Sequence, residues 1–424
     1  MSRYHLIKQT LCTVFMMFGL TTASLADDTV IKAGHVIDPV TGKVIDNQYI
    51  TVTRNKITAI SSKMPKDHQG TVVDLSNQWL MPGLMDMHTH LTANTNRGEY
   101  LIEATLKRDT AYRALTGAKM AKDVLYAGFT TVRDVGNAGE YVDAALGRAI
   151  REGLIEGPRI IGAGKIISVF GGQSSDIAQE HGAFWGQEYV DVVSPDDMRR
   201  AIHKNIYYGA RVIKLVVGDQ LYSLSPETIK AAVDEAKSAG MNVAAHTWED
   251  AHAARASNAG VASIEHGFNL SDDTLKLMKE NGTYLAGTEF PWQYLDMVWD
   301  NEARSKDFNK KNISQLARAY KIGTPLVFST DIVNTYNGET RGEMSINYLQ
   351  GWIDAKIPPR DILKAMTING AKLINMEKLI GSIDVNKIAD IIATPTNPLD
   401  DIWALKEVCM VMQGGSVIKN TCAK

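Results

Sequence analysis

A single beat repeats through the middle of the chain and limits what it can fold into. An amphipathic stretch is followed by a glycine, then by a short apolar run that ends in a polar residue. Asp109–Ala127 leads through Gly128 to Phe129–Val135, and Pro195–Tyr208 through Gly209 to Ala210–Val217. Pro226–Ala239 leads to Met241–His246, Asp250–Ala259 to Val261–His266, Asp272–Asn281 to Thr283–Gly287, and Asn309–Ile322 to Pro325–Thr330. A glycine just past a helix suits a left-handed cap. Continuous apolar runs suit parallel strands buried on both faces. With Leu84–His90 and Arg159–Gly164 the strands number eight. Eight β/α units over some 250–300 residues predict an α/β fold of the (β/α)8, or TIM-barrel, kind. A doubly wound sheet would not need eight units, and no Gly-x-Gly-x-x-Gly loop follows a strand.

The two ends have another texture. Val30–Ala33, His35–Ile37, Tyr49–Val52, Lys56–Ile60 and Thr71–Val73 read as short strands, as do Ile388–Thr394 and Cys409–Ile418. They predict one small β-sandwich assembled from both termini. The expected organisation is a signal peptide over 1–26, the first part of the sandwich over 27–80, the barrel over 81–375 and the rest of the sandwich over 376–424. The signal peptide is read from Arg3, His5 and Lys8 before the apolar run Leu11–Leu20, with Ser24-Leu25-Ala26 at the cut. That run is too short to span a bilayer, which takes roughly 20 apolar residues. An exported protein, periplasmic or secreted and without a membrane anchor after cleavage, is therefore expected. Cys409 and Cys422 flank an apparent hairpin; a disulfide is geometrically possible and the compartment would allow it, with two free thiols as the alternative. A formal charge of −3 over 424 residues gives no reason to expect nucleic acid as a partner.

A TIM barrel carries its active site at the C-terminal ends of its strands. Strand 1 ends in His88 and His90, strand 4 carries Lys214, strand 5 ends in His246, strand 6 in Glu265-His266, and strand 8 runs into Asp331. Four of the ten histidines thus stand at three such ends. Side chains two apart on a strand point the same way, so His88 and His90 would project together. Singly each residue has a plainer use: packing for a histidine, snorkelling for a lysine, helix capping for Asp331. Convergence on one mouth favours metal ligation. An ammonium at Lys214 would be costly among Val212, Leu215 and Val216, so burial favours the neutral amine. A neutral amine can add carbon dioxide and become a carbamate, an anionic ligand able to bridge two divalent ions. Such a pair would lower the pKa of a shared water and supply hydroxide near neutral pH. Nitrogen and carboxylate-type ligands favour zinc, with manganese, cobalt or iron as alternatives.

On these residues the chain resembles the amidohydrolase superfamily, in its branch of exported Xaa-Pro dipeptidase-like and imidazolonepropionase-related enzymes. The motifs are Met81-Pro-Gly-Leu-Met-Asp-Met-His-Thr-His90, Gly128-Phe-Thr-Thr-Val-Arg-Asp-Val-Gly136, Ser263-Ile-Glu-His-Gly267 and Gly381-Ser-Ile-Asp-Val-Asn-Lys-Ile-Ala-Asp390, extended by Asn397-Pro-Leu-Asp-Asp-Ile402 and Met412-Gln-Gly-Gly415. The resemblance implies that His88, His90 and Asp331 hold one metal, His246 and His266 the other, and carboxylated Lys214 bridges them. It implies that Asp331 shuttles the proton to a leaving amine, and that the protein is a homo-oligomer. The implied substrate is a dipeptide, an N-acyl amino acid or a related small amide.

Two departures bear on substrate. The family commonly shows His-x-His-Gly after strand 5, where this chain has His246-Thr247-Trp248-Glu249, and Gly-Gly-His after strand 3, where it has Gly171-Gly172-Gln173. Gln173, Tyr222, Trp248 and Glu289 are therefore candidate substrate contacts: Trp248 for an aromatic group or as plain packing, Tyr222 for a carbonyl, Glu289 for a cation. Arg133 is expected to be structural, paired with Asp134 or another strand-end carboxylate. The long segments Ser168–Ser194 and Glu289–Lys306 follow strands 3 and 7, as a pocket cover or a subunit contact. A one-metal deaminase or cyclic-amide hydrolase, in which Lys214 has no ligand role, is the second enzyme reading. A non-catalytic metal- or ligand-binding barrel is the reading from another class.

Overall fold

Alternating and continuous apolar runs sort the strands into two bodies. The computed structural model describes residues 28–66, 68–136, 139–173, 178–335 and 338–423; the expected signal peptide lies outside them. Near the amino terminus come β1 (Thr29–Ile37), β2 (Val44–Thr53), β3 (Lys56–Ser61) and β4 (Thr71–Pro82). The barrel strands are β5 (Leu84–Thr89), β6 (Phe129–Asp134), β7 (Arg159–Gly162) and β8 (Ile166–Ser168), then, past the outlying β9 (Tyr189–Asp191), β10 (Ile213–Val216), β11 (Val243–Thr247), β12 (Ser263–His266) and β13 (Tyr284–Ala286). The chain closes with β14 (Ile391–Thr394), β15 (Met410–Gln413) and β16 (Ser416–Asn420).

The barrel closes as the sequence beat requires. Parallel pairing links β5, β6 and β7, and links β8, β10, β11, β12 and β13. Arg211 N–H bonds Gly162 O at 2.7 Å and joins the two groups. The eighth position, around residues 325–330, forms no regular strand, yet it bridges the remaining gap. Leu285 N–H bonds Pro325 O, Met87 N–H bonds Phe328 O, and Asp331 N–H bonds His88 O, at 2.8, 2.9 and 2.8 Å. Every residue of β5, β6, β10, β11 and β12 is buried, which is why these runs show no polar alternation.

Helix ends fall where the glycines announce them: Asp250–Ala259 ends at Gly260 (φ 92°) and Glu302–Ile322 at Gly323 (φ 85°). Three further expectations change. Strand 3 is two short strands hinged at Gly164 (φ 66°), β7 pairing with β6 and β8 with β10. The helix expected from Asn309 starts at Glu302, because the Asn301 side chain accepts a hydrogen bond from Arg304 N–H at 3.0 Å and caps it there. The terminal strands form one seven-stranded mixed sheet, ordered β16-β15-β14-β4-β1-β2-β3, rather than two facing layers. In it β1 and β4 are parallel and every other neighbour antiparallel. Cys409 and Cys422 are disulfide-bonded with Cα atoms 4.8 Å apart, at the hairpin of β15 and β16. No helix among the described residues is long and apolar enough to cross a membrane.

The chain passes from sheet to barrel through one residue. β4 runs to Pro82, β5 begins at Leu84, and Gly83 N–H bonds Asp390 O at 2.9 Å. The buried Asp390 carboxyl accepts from Arg159 Nη1 and from Gly414 N–H, both at 2.8 Å, while Arg159 also reaches Thr131 Oγ1. Arg159 thus ties the barrel floor to the terminal sheet. Removing one partner of such a pair leaves a buried charge. Arg159→Met is expected to lower unfolding stability by about 2 kcal/mol, read as a lower denaturant midpoint at unchanged slope. An unchanged midpoint would mean that the clamp is not what joins the two bodies.

Candidate active site

The mouth is built from strand ends, and two of its residues reach it by breaking strand alternation. Neighbours on a strand face opposite ways. Glu265 and His266 are neighbours, yet both side chains lie at the mouth, because His266 has φ 65°. Asp331 has φ 55° and turns inward just after Thr330, whose Oγ1 donates to Asp86 Oδ2 at 2.7 Å. A non-glycine residue held there costs roughly 1–2 kcal/mol, a kind of strain that gathers at functional sites.

His88 is the centre. Its Nδ1 lies 2.7 Å from Glu265 Oε2, and the other Glu265 oxygen accepts from Arg133 Nη2 at 2.7 Å. Arg133 is itself held by Met87 O (2.6 Å) and Ser263 Oγ (2.9 Å). With Nδ1–H donating to Glu265, the lone pair of His88 is on Nε2. That atom is buried, makes no hydrogen bond, and stands 3.5 Å from Asp331 Oδ1. Burial, then the charges of Lys214 and neighbouring histidines, holds His88 well below the ordinary imidazole range and so neutral. His266 is likewise held low by burial, His246 and Lys214. A neutral imidazole with an unpaired inward nitrogen is what metal ligation needs.

One donor atom each from His88, His266 and Asp331 lies within 4.8 Å of the others. His90 Nε2 approaches Asp331 Oδ1 at 3.1 Å, and its Nδ1 donates to Gly136 O at 2.6 Å. Burial opposes charge on His90, but the hydrogen bond and charge of Asp331, with Asp134, outweigh it and raise its pKa. His266 Nδ1 lies 2.9 Å from Thr288 Oγ1, and the His246 and His266 rings are 4.6 Å apart between centroids. Lys214, 1% exposed, has its pKa lowered to about 8, chiefly by burial, against the opposing pull of Glu265 and Asp331. All six residues singled out in the sequence are therefore gathered at one mouth. Their chemistry, imidazole nitrogens with carboxyl oxygen and a deprotonatable amine, fits divalent metal.

The candidate substrate contacts fare differently. Gln173 Nε2 stands 3.3 Å from His246 Nδ1. Trp248 is 45% exposed and stacks over His266 at 6.4 Å, with Phe268 behind it at 4.9 Å. Tyr222 donates its hydroxyl to Phe170 O at 2.9 Å, tying the loops after strands 3 and 4 together. Glu289 is buried between Gly287, Gly351 and Trp352, where burial pushes its carboxyl up to about 8, so it presents no anion for a cationic side chain. Two contacts go beyond the sequence expectations. Asp219 Oδ2 pairs with His246 Nε2 at 2.8 Å, and Glu265 orients His88. Asp219 sits on a loop with no periodicity to place it; for Glu265 the signal was its position beside His266 at a strand end.

The amidohydrolase family model matches residues 79–418, and the chain belongs to that family. It is a hydrolase acting on carbon–nitrogen bonds. Ochratoxinase of Aspergillus niger is 26% identical over 430 residues, covering 92% of this chain and 86% of the relative, and its crystal structure superposes with a TM-score of 0.79. A Xaa-Pro dipeptidase solved with methionine bound in its active site is 28% identical, with a TM-score of 0.81 over 93% of this chain and all of that one. Imidazolonepropionase of Alkaliphilus metalliredigens is more distant, 21% identical over 88% of this chain and 91% of the relative.

Glu265→Gln keeps the size but leaves the buried Arg133 without its carboxyl partner. Loss of such a supporting partner costs 10–100-fold in metal affinity. Competition with a chromophoric chelator should show zinc held at least about 10-fold more weakly; equal affinity would remove Glu265 from the account.

Proposed function

We propose that the protein is a binuclear metal-dependent hydrolase of small amides: dipeptides, N-acyl amino acids or close relatives. The supporting observation is the buried, unbonded Nε2 of His88 facing His266 and Asp331. In this proposal His88, His90 and Asp331 hold one divalent ion, His246 and His266 the second, and Lys214, carboxylated, bridges them, with zinc the favoured metal. When bound, the ions would activate water and polarise the scissile carbonyl.

The chain's own groups supply the rest. Asp331, fixed by its backbone N–H to His88 O, takes the proton of the attacking water on a carboxyl oxygen and returns it to the leaving amine. Glu265 and Arg133 keep His88 in one tautomer. Trp248 shields one side of the mouth from water, and Gln173 borders the other. Substrates of this class are supported by the methionine carried by the dipeptidase relative. Export is supported by the amino-terminal pattern together with the Cys409–Cys422 bond. Homo-oligomer assembly rests on family resemblance.

A one-metal enzyme finds support in the compactness of the His88, His266 and Asp331 group alone. Zinc- or manganese-loaded protein assayed against dipeptides, N-acyl amino acids and lactones separates the readings. Cleavage of an amide with close to two metal ions per chain supports the proposal; one ion per chain, or inertness across the panel, overturns it. Asp331→Asn should lower kcat by about 10²–10⁴-fold. Carbamate formation needs the neutral amine, whose fraction grows as pH rises through about 8. In carbon dioxide-depleted buffer the second metal equivalent should therefore be lost and then restored by bicarbonate, more readily at pH 9 than at pH 7. Lys214→Ala should bind one equivalent regardless of bicarbonate, and retention of both would exclude the bridge.

A further inference from the structure

Three larger cavities, about 750, 590 and 540 Å³, lie against helix Thr110–Tyr126 and contain none of the six mouth residues. A smaller one, about 220 Å³, is joined to the mouth through Gln173, which lines it while its Nε2 stands 3.3 Å from His246. Its walls are Leu101 and Ile102 from helix Leu101–Lys107, Phe184 and Trp185 from the short helix Gly182–Trp185, and Tyr189 of β9.

These walls are locked to the strand-3 loop. Trp185 stacks on Tyr189 with centroids 4.1 Å apart and planes at 8°. A Cβ on Gly172 would lie 2.2 Å from Trp185 Cη2, so the indole packs on the backbone just before Gln173. Glu188 also lines the cavity, and Gln173 in its wall reaches His246, the partner of Asp219. The cavity therefore abuts the mouth on its His246 side. An apolar cavity of about 150 Å³ takes benzene. This one has room for an aromatic ring and the atoms that link it to an amide.

We infer that this cavity receives a bulky apolar or aromatic substituent of the scissile amide, and that Ile102, Phe184 and Trp185 set that preference. The inference rests on the hydrolase reading above for the amide itself. Glu188 in the wall disfavours an acidic substituent by like charge or by desolvation.

The test is calorimetric binding of N-acetyl-L-phenylalanine, N-benzoylglycine, N-acetylglycine and N-acetyl-L-lysine to the zinc-loaded protein, with any turnover read as kcat/KM. The two aromatic probes place the ring on either side of the amide. At least one should exceed N-acetylglycine by about 30-fold. Ile102→Trp, which fills the cavity, should cut that advantage below about threefold and leave N-acetylglycine unchanged. Phe184→Ala, which enlarges it, should shift preference toward N-(2-naphthoyl)glycine. The inference is overturned by equal affinity for aromatic and glycine probes, by a preference that neither variant moves, or by tighter binding of N-acetyl-L-lysine than of both aromatic probes. Binding is read whether or not the amide is cut, so absence of hydrolysis sinks the hydrolase reading separately.

Discussion

The contact between Glu265 and His88 deep in the barrel decides what the mouth can be. Glu265 uses one oxygen for His88 Nδ1 and the other for Arg133, which crosses the interior to Met87 O and Ser263. Breaking such a buried pair is costly, but its net contribution to stability is small because desolvation offsets the attraction. Its consequence is directional: it fixes one imidazole tautomer and leaves the other nitrogen unpaired at the point where His266 and Asp331 converge. The fold supports the arrangement by joining β5, which carries His88, to the terminal sheet through Gly83, with Arg159 and Asp390 beneath.

Much of this was legible in the chain. The glycine-punctuated beat exposes the parallel strands because their burial on both faces removes polar alternation, and the ends of those strands carry His88, His90, Lys214, His246, His266 and Asp331. What stayed hidden depends on backbone departures from regularity. Nothing in a period of two tells that φ 65° at His266 puts it on the same side as Glu265, or that φ 55° at Asp331 turns it inward. Asp219 reaches His246 from an irregular loop. Glu289 looked available because it follows a strand, but Gly287 and Gly351 give it space to fold into the packing instead.

The proposed function places specificity where the strand-end pattern departs from the one the sequence resembles. Gln173 in place of a histidine contacts His246 and also borders an aromatic-walled cavity, while Trp248 stands half-exposed over His266. The strand ends and the loops divide the work. In the proposed function the strand ends would supply the reactive centre, and the loops after strands 3 and 5 would select among amide substrates.

The central claim is that the unpaired Nε2 of His88 is a ligand. Anomalous diffraction at the zinc edge from crystals of the zinc-loaded protein tests it most directly. The account predicts a peak at zinc–nitrogen bonding distance, about 2.0–2.1 Å, from His88 Nε2, with Asp331 in the same coordination shell. Zinc located elsewhere in well-ordered crystals, or His88 Nε2 hydrogen-bonded to protein while metal sits apart, would contradict it.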